Sequence, residues 1–319
     1  NLDINSNTTL RNWSYYVIGS QGRTTFSGDL TSSGTAGGRI TKAGAGTLVL
    51  SGSNDFFGAA GTSLITLTAG VLRFTEDSNL GRVSTTQSNI SITGAGTLAL
   101  GGTTPLTWDA ATSNRNLNLT SDQGAVDVVD VGGVFTINTR VTGAFDLLKQ
   151  GAGRLALNAN NNQIADLTIG GAAVAAAANL QSGGSGGSVS TTATSGTPFA
   201  TASATIYDGT LRLIGGVAAQ ALTIPTLRFG GGSSIQFDQG ASTSFLTATT
   251  LTRLNQGTLT LLPTAISDLG NTGRLIAGNN GAAFPTANGM LVTSSVFVRL
   301  PGVGEDANFA TYGANGFQL

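Results

Sequence analysis

The sequence predicts an all-β protein built as an elongated β-solenoid with surface loop excursions, and three observations point there. A turn-plus-strand phrase recurs as Gly44-Ala45-Gly46-Thr47-Leu48-Val49-Leu50, Gly94-Ala95-Gly96-Thr97-Leu98-Ala99-Leu100 and Gly151-Ala152-Gly153-Arg154-Leu155-Ala156-Leu157. Glycine supplies 47 of the 319 residues, a density that suits frequent turns. No segment of about 12 residues or more holds apolar positions at helical spacing without glycine or a β-branched run intervening. Self-similarity of this kind marks stacked coils, each burying its apolar face against the next.

The strands follow from short apolar clusters bounded by Gly, Asn, Asp or Ser: residues 47–50, 64–67, 71–74, 90–92, 117–119 and 134–137. Within the phrase, Leu48 and Leu50, like Leu98 and Leu100, lie two apart and share one face of a strand, which is the core face. The glycine directly before the threonine suits a turn with positive φ, and the threonine after it begins the strand. The pattern persists in Asp208-Gly209-Thr210-Leu211-Arg212-Leu213 and Gln256-Gly257-Thr258-Leu259-Thr260-Leu261. Residues 172–178 are alanine-rich and read either as two turns of helix or as a small-residue strand or loop.

The organisation expected is one body of coils over residues 1–180, a Gly/Ser/Thr-rich loop excursion at 181–197 with little to bury, and continuing coils over 198–319. Coils of about 20 to 25 residues would make roughly 13 to 16 turns, on the order of 60 to 75 Å long. The chain begins at Asn1 without a charged or apolar leader, and Gly316-Phe317-Gln318-Leu319 offers no obvious closing element. It reads as a mature or excised piece of a longer protein.

Composition removes much chemistry. Cys and His are both absent, which excludes disulfides, thiolate nucleophiles and the usual general base. Only 10% of residues are charged, the net charge is −1 and no run of like charge occurs, so a nucleic-acid face is not expected. Nor is there an apolar run long enough for a transmembrane helix.

One stretch carries more than the short phrase. Ile40-Thr41-Lys42-Ala43-Gly44-Ala45-Gly46-Thr47-Leu48-Val49-Leu50-Ser51-Gly52-Ser53-Asn54 continues to Phe57-Gly58 and closes with Thr68-Ala69-Gly70-Val71-Leu72-Arg73-Phe74. This resembles the autotransporter-associated β-strand repeat, also called the passenger-associated transport repeat. Phe56-Phe57-Gly58 stands where that repeat has a tyrosine step, so the hydroxyl is lost. Leu147-Leu148-Lys149-Gln150-Gly151-Ala152-Gly153-Arg154-Leu155-Ala156-Leu157-Asn158-Ala159-Asn160 resembles it with an Asn turn replacing Ser-Gly, and the copy at Gly94 keeps only the Gly-x-Gly-Thr-Leu core. The resemblance implies a right-handed parallel β-helix of bacterial surface and secreted proteins, often exported passengers. It implies no catalytic residues and no cofactor or metal, and the outer-membrane barrel such proteins often carry is not evident here.

Candidate chemistry is sparse. Parallel β-helices also host enzymes that cut polysaccharides with clustered carboxylates, and the best local cluster is Asp122, Asp127 and Asp130 with Arg140 downstream. Asp127 and Asp130 fall on opposite faces of an extended strand, so solvated turn aspartates are the competing reading. Asn54 and Asn160-Asn161-Asn162 suit either side-chain ladders between coils or simple Asx turns. Asn-x-Ser/Thr triplets begin at Asn7, Asn12, Asn89 and Asn118, a pattern common by chance in a Thr-rich chain. Trp13, Tyr15, Tyr16 and Trp108 suit either sugar stacking or a cap on the core.

The function expected is a non-enzymatic extracellular structural or adhesive segment, as a stalk, adhesin passenger or assembly subunit. Its expected partners are neighbouring subunits or the rest of a longer chain at the coil ends, and a surface polysaccharide. The alternatives are a carbohydrate-binding or carbohydrate-cleaving β-helix and a compact all-β binding module.

Overall fold

A computed structural model describes residues 2–4, 6–10, 12–17, 22–32, 38–57, 63–82, 88–111, 113–170, 187–278, 286–287, 290–291, 295–299 and 308–318. Residues 172–178 and 181–186 lie outside these. The chain divides into two compact units, Asn1–Leu155 and Ala156–Leu319. Among the described residues there is no α-helix; two short 3-10 turns, Asp77–Leu80 and Ile266–Asp268, interrupt an otherwise all-β chain.

In the first unit, strands Leu2–Ile4, Arg23–Phe26, Thr47–Leu50, Ser63–Phe74, Ser88–Leu100, Gly124–Val128 and Phe145–Gln150 stack in parallel. Parallel pairing places each side chain directly over its counterpart one coil away, so one inward position becomes a continuous row. Leu48, Leu72, Leu98, Val126 and Lys149 form such a row, and Ile40, Ile65, Ile90 and Leu117 form another. The apolar members of both rows are almost wholly buried. Each contributes about 1.5–3 kcal/mol of transfer free energy, which makes the rows the main favourable term in the stack. A second parallel face pairs Leu106–Trp108 with Val134–Ile137.

The second unit repeats the plan. Ile164–Ile169, Ser203–Tyr207, Gln220–Gly230, Ser244–Arg253 and Gly273–Ala277 form one parallel face, and Ser188–Thr191, Thr210–Ile214, Gly232–Asp238, Thr258–Pro263 and Val296–Val298 form the other. Leu2 pairs with Thr24, an offset of 22 residues, whereas Asp166 pairs with Ser203, an offset of 37. Coils thus reach beyond the 20 to 25 residues expected and are correspondingly fewer, because corner loops differ in length while the strands hold register apart from two shifts between Ser63–Phe74 and Ser88–Leu100.

The repeated phrase folds in three ways. The positive φ expected at the glycine before the threonine falls instead on the opening glycine, 70° at Gly44 and 74° at Gly151. Gly94 and Gly96 instead lie inside the continuous strand Ser88–Leu100, where a Cβ on Gly96 would stand 2.8 Å from Leu67 Cβ. In the two later copies the positive φ falls on the polar residue, 54° at Asp208 and 57° at Gln256. Gly257 is needed for close approach, since a Cβ there would lie 2.4 Å from Gly230 Cα.

Two further expectations are revised. Residues 187–197, part of the expected surface excursion, carry strands Ser188–Thr191 and Ser195–Gly196, the first burying Val189, Ser190 and Thr191. Composition undercounts such a strand because its hydrogen bonds to Thr210–Leu213 are backbone bonds. The C-terminal residues also close an edge: Thr311–Gly313 and Gly316–Gln318 form a hairpin with Phe317 fully buried. The Tyr312 hydroxyl accepts from Ala277 N at 3.0 Å and donates to Ala277 O at 2.6 Å, so it occupies the outer edge of Gly273–Ala277.

Of the two roles open to it, Asn54 takes the ladder between coils. Its Oδ1 accepts from Leu30 N at 2.7 Å and its Nδ2 donates to Asn79 O at 2.5 Å, joining the coil before to the coil after. Asn79 continues the network by donating to Gly52 O at 3.1 Å. In the 160–162 run only Asn162 turns inward, donating to Pro198 O at 2.9 Å, while Asn160 and Asn161 are exposed. Gln220 does the same work in the second unit, donating to Ala193 O and accepting from Ser244 Oγ. Replacing Asn54 with Ala strands a buried N–H and a buried carbonyl, so denaturant unfolding should show a loss of about 2–4 kcal/mol. Asn160→Ala should change stability by no more than about 0.5 kcal/mol; equal effects would refute the ladder.

Candidate functional site

The acidic cluster singled out from the sequence converges only in part: Asp127 and Asp130 are near enough to interact electrostatically, whereas Asp122 lies at the other end of the strand. Asp122 precedes and Asp130 follows the strand Gly124–Val128, which at about 3.3 Å per residue is roughly 13 Å long. Asp122 Oδ1 accepts from Asp146 N at 3.2 Å and Asp130 Oδ2 from Gly102 N at 2.6 Å. The same device recurs: Asn7 Oδ1 accepts from Asp29 N, Asp29 Oδ1 from Ser53 N, Asn158 Oδ1 from Thr192 N and Asp208 Oδ1 from Gly232 N. These turn side chains are rungs between coils, satisfying amides that the ladder leaves open at corners. Arg140 is exposed in the turn after Val134–Ile137.

The other candidates resolve as follows. Trp108 is fully buried, its ring 4.7 Å from Phe135 and 6.5 Å from Phe74, so it fills the core and offers no face to a sugar. Strand Asn12–Val17 pairs with Gly38–Ala43, but the side chains of Trp13, Tyr15 and Tyr16 lie outside the described residues, as do those of Asn12 and Asn89. The Asn118 amide is engaged, donating to Ser91 Oγ and accepting from Thr142 Oγ1.

The strongest electrostatic perturbation sits at the repeated turn. Lys42 and Lys149 are the only lysines in the chain, and each stands two residues before the phrase's first glycine, in a fully buried position. Each lies in a core row, Lys42 beside Leu67 and Lys149 beside Val126, with its alkyl stem among apolar side chains. Lys42 Nζ donates to Ala43 O at 2.8 Å, Gly44 O at 2.6 Å and, on the next coil, Ala69 O at 3.0 Å. Lys149 Nζ donates to Gln150 O and, at 2.9 Å, to Gly151 O. The left-handed turn points its carbonyls inward, and an ammonium at the end of a four-carbon stem satisfies them together.

Burial lowers Lys42 and pushes Lys149 down to about 8, against the opposing pull of Asp127. Asp127 is itself raised by burial, with Asp130 adding and Lys149 and Arg73 opposing. Its Oδ1 is buried without a hydrogen-bond partner. Such opposed shifts often mark catalytic pairs, but a nucleophilic or basic lysine must reach its substrate, and Lys149 has no exposed surface. The arrangement is a structural strut.

Arg115, also fully buried, clasps the 3-10 turn through Asp77 Oδ1 at 2.7 Å and the carbonyls of Asp77, Leu80 and Gly81. Sequence reading missed this role, since the partners lie 34 to 38 residues away. The lysines had a legible signal in their shared offset from the turn glycine.

Among the described residues, no group of three or more Asp and Glu side chains gathers closely enough to hold a metal ion, and no helix is long and apolar enough to cross a membrane. In-register parallel strands stacked coil upon coil define the β-solenoid class. Over 155 residues, 48% of this chain, the sequence is 32% identical to the adhesin BmaC autotransporter of Brucella suis biovar 1 (strain 1330), of which it spans 4%. That similarity and the solenoid together fit an autotransporter-like β-helix. No protein-family model matches the chain, and no solved structure matches it.

The Lys149 strut carries a signed pH dependence. Its folded value of about 8 lies below the ordinary 10.5, so between these pH values the unfolded chain holds a proton that the folded chain has released. Stability therefore rises with pH across that window, by about 3 kcal/mol if the group acts alone. Denaturant unfolding at a series of pH values should show the rise, and Lys149→Met should abolish it.

Proposed function

We propose that this chain is a non-enzymatic, adhesive β-solenoid segment of a bacterial surface protein, passenger-like and working outside the cell. The similarity to an autotransporter adhesin carries the reading. The fold supports it, because stacked coils present long polar strand faces and scarce charges serve as internal struts and rungs. Its partners would be the rest of a longer chain or neighbouring subunits at coil ends, and polysaccharides or proteins of the surface it meets. The positions of Asp122 and Asp130, each bonded to a backbone amide on a different coil, weigh against the polysaccharide-cleaving alternative.

The test is retention of beads coated with the folded chain on epithelial monolayers, against beads coated with the heat-unfolded chain. Retention several-fold above that control is expected, with no shortening of polygalacturonate or other anionic polysaccharides on incubation. Background retention would sink the adhesive reading; depolymerisation that survives repurification and is lost in Asp127→Asn would replace it with an enzymatic one.

A further inference from the structure

The second unit contains a recess of about 280 Å³ where the turn before Ser244–Arg253 meets the 3-10 turn Ile266–Asp268. Gln239, Ser242, Thr243, Thr264, Asp268 and Thr272 line it, and none of its described lining residues is basic or aromatic. Its size is at the lower edge for small-molecule sites, suited to one ring.

Hydrogen bonding within the wall determines what it offers a guest. A hydroxyl has one hydrogen and two lone pairs. Ser242 directs its hydrogen at Gly216 O and Ala218 O, Thr264 at Phe237 O and Thr272 at Gln239 Oε1. All three hydroxyls can therefore only accept from a guest. Asp268 adds acceptors: its Oδ2 takes the Ala265 amide at 2.8 Å, and no described residue bonds Oδ1.

These features select a ligand class. An anion meets a carboxylate and no cation. A bare metal ion meets one carboxylate and no second acid. A simple alkylammonium supplies donors from a single atom and leaves hydroxyl acceptors of the wall without a partner from the guest. A ring carrying an ammonium and several hydroxyls meets both requirements: its charge faces Asp268, and its hydroxyl hydrogens reach the Ser242, Thr264 and Thr272 oxygens. We propose that this recess binds a single unit of an amino sugar with a free, protonated amine.

The proposal goes beyond the adhesive reading and does not rest on it. The test is ligand-observed NMR titration of the full chain at mildly acidic pH with glucosamine, glucose, N-acetylglucosamine and lysine amide. Glucosamine should bind at least about tenfold more tightly than the two uncharged sugars. Asp268→Asn should remove that preference, and Thr272→Val should weaken glucosamine without altering its lead over glucose, both variants keeping the parent circular dichroism spectrum. Absence of glucosamine binding, equal binding of glucose, or binding unchanged in Asp268→Asn overturns the proposal. Lysine amide binding as tightly as glucosamine also overturns it, in favour of a protein ammonium. Failure here with bead retention intact discards the recess alone, whereas sugar binding without retention discards only the adhesive reading.

Discussion

Parallel register between successive coils is the constraint on which the structure depends. Because each strand lies directly over its neighbour, every inward position must suit the row above and below it, and a one-residue slip would turn a whole row outward. Rows such as Leu48, Leu72, Leu98 and Val126 meet this with apolar side chains. Strand backbones are satisfied by the same register. Corners are not, and the remaining polar residues are placed there.

That placement accounts for much of the scarce charge. Asp29, Asp122, Asp130 and Asp208 each accept an amide from another coil, Arg115 gathers the carbonyls of a 3-10 turn, and the two lysines gather those of the left-handed turn. A buried ammonium is expensive to desolvate, and the lowered value of Lys149 records that cost. It is tolerated because an alternative side chain in that row would leave inward carbonyls without donors. Asp122 and Asp130, which look catalytic in sequence, are thus engaged by backbone amides of other coils.

The strands were legible because alternation and turn residues are local signals: Thr47–Leu50 and Val134–Ile137 occur at the bounds expected, and Asn54 takes one of the two roles its turn suggested. The Gly94 copy was not, since the same letters form a turn at Gly44 and continuous strand at Gly94. Ser188–Thr191 was hidden for a related reason, being held by backbone pairing with Thr210–Leu213. The closing hairpin was hidden because Tyr312 acts on Ala277, 35 residues away.

The sequence by itself determined the solenoid class, the core leucines and the absence of thiol and imidazole chemistry, since these depend on composition and short-range periodicity. Only the tertiary structure decided which glycines turn, that Asp122 and Asp130 are rungs between coils, and that hydroxyls of the second unit line a recess as acceptors. Those outcomes rest on contacts between residues about 22 to 38 positions apart, and the offset varies with every corner loop. No fixed spacing in the sequence can encode them.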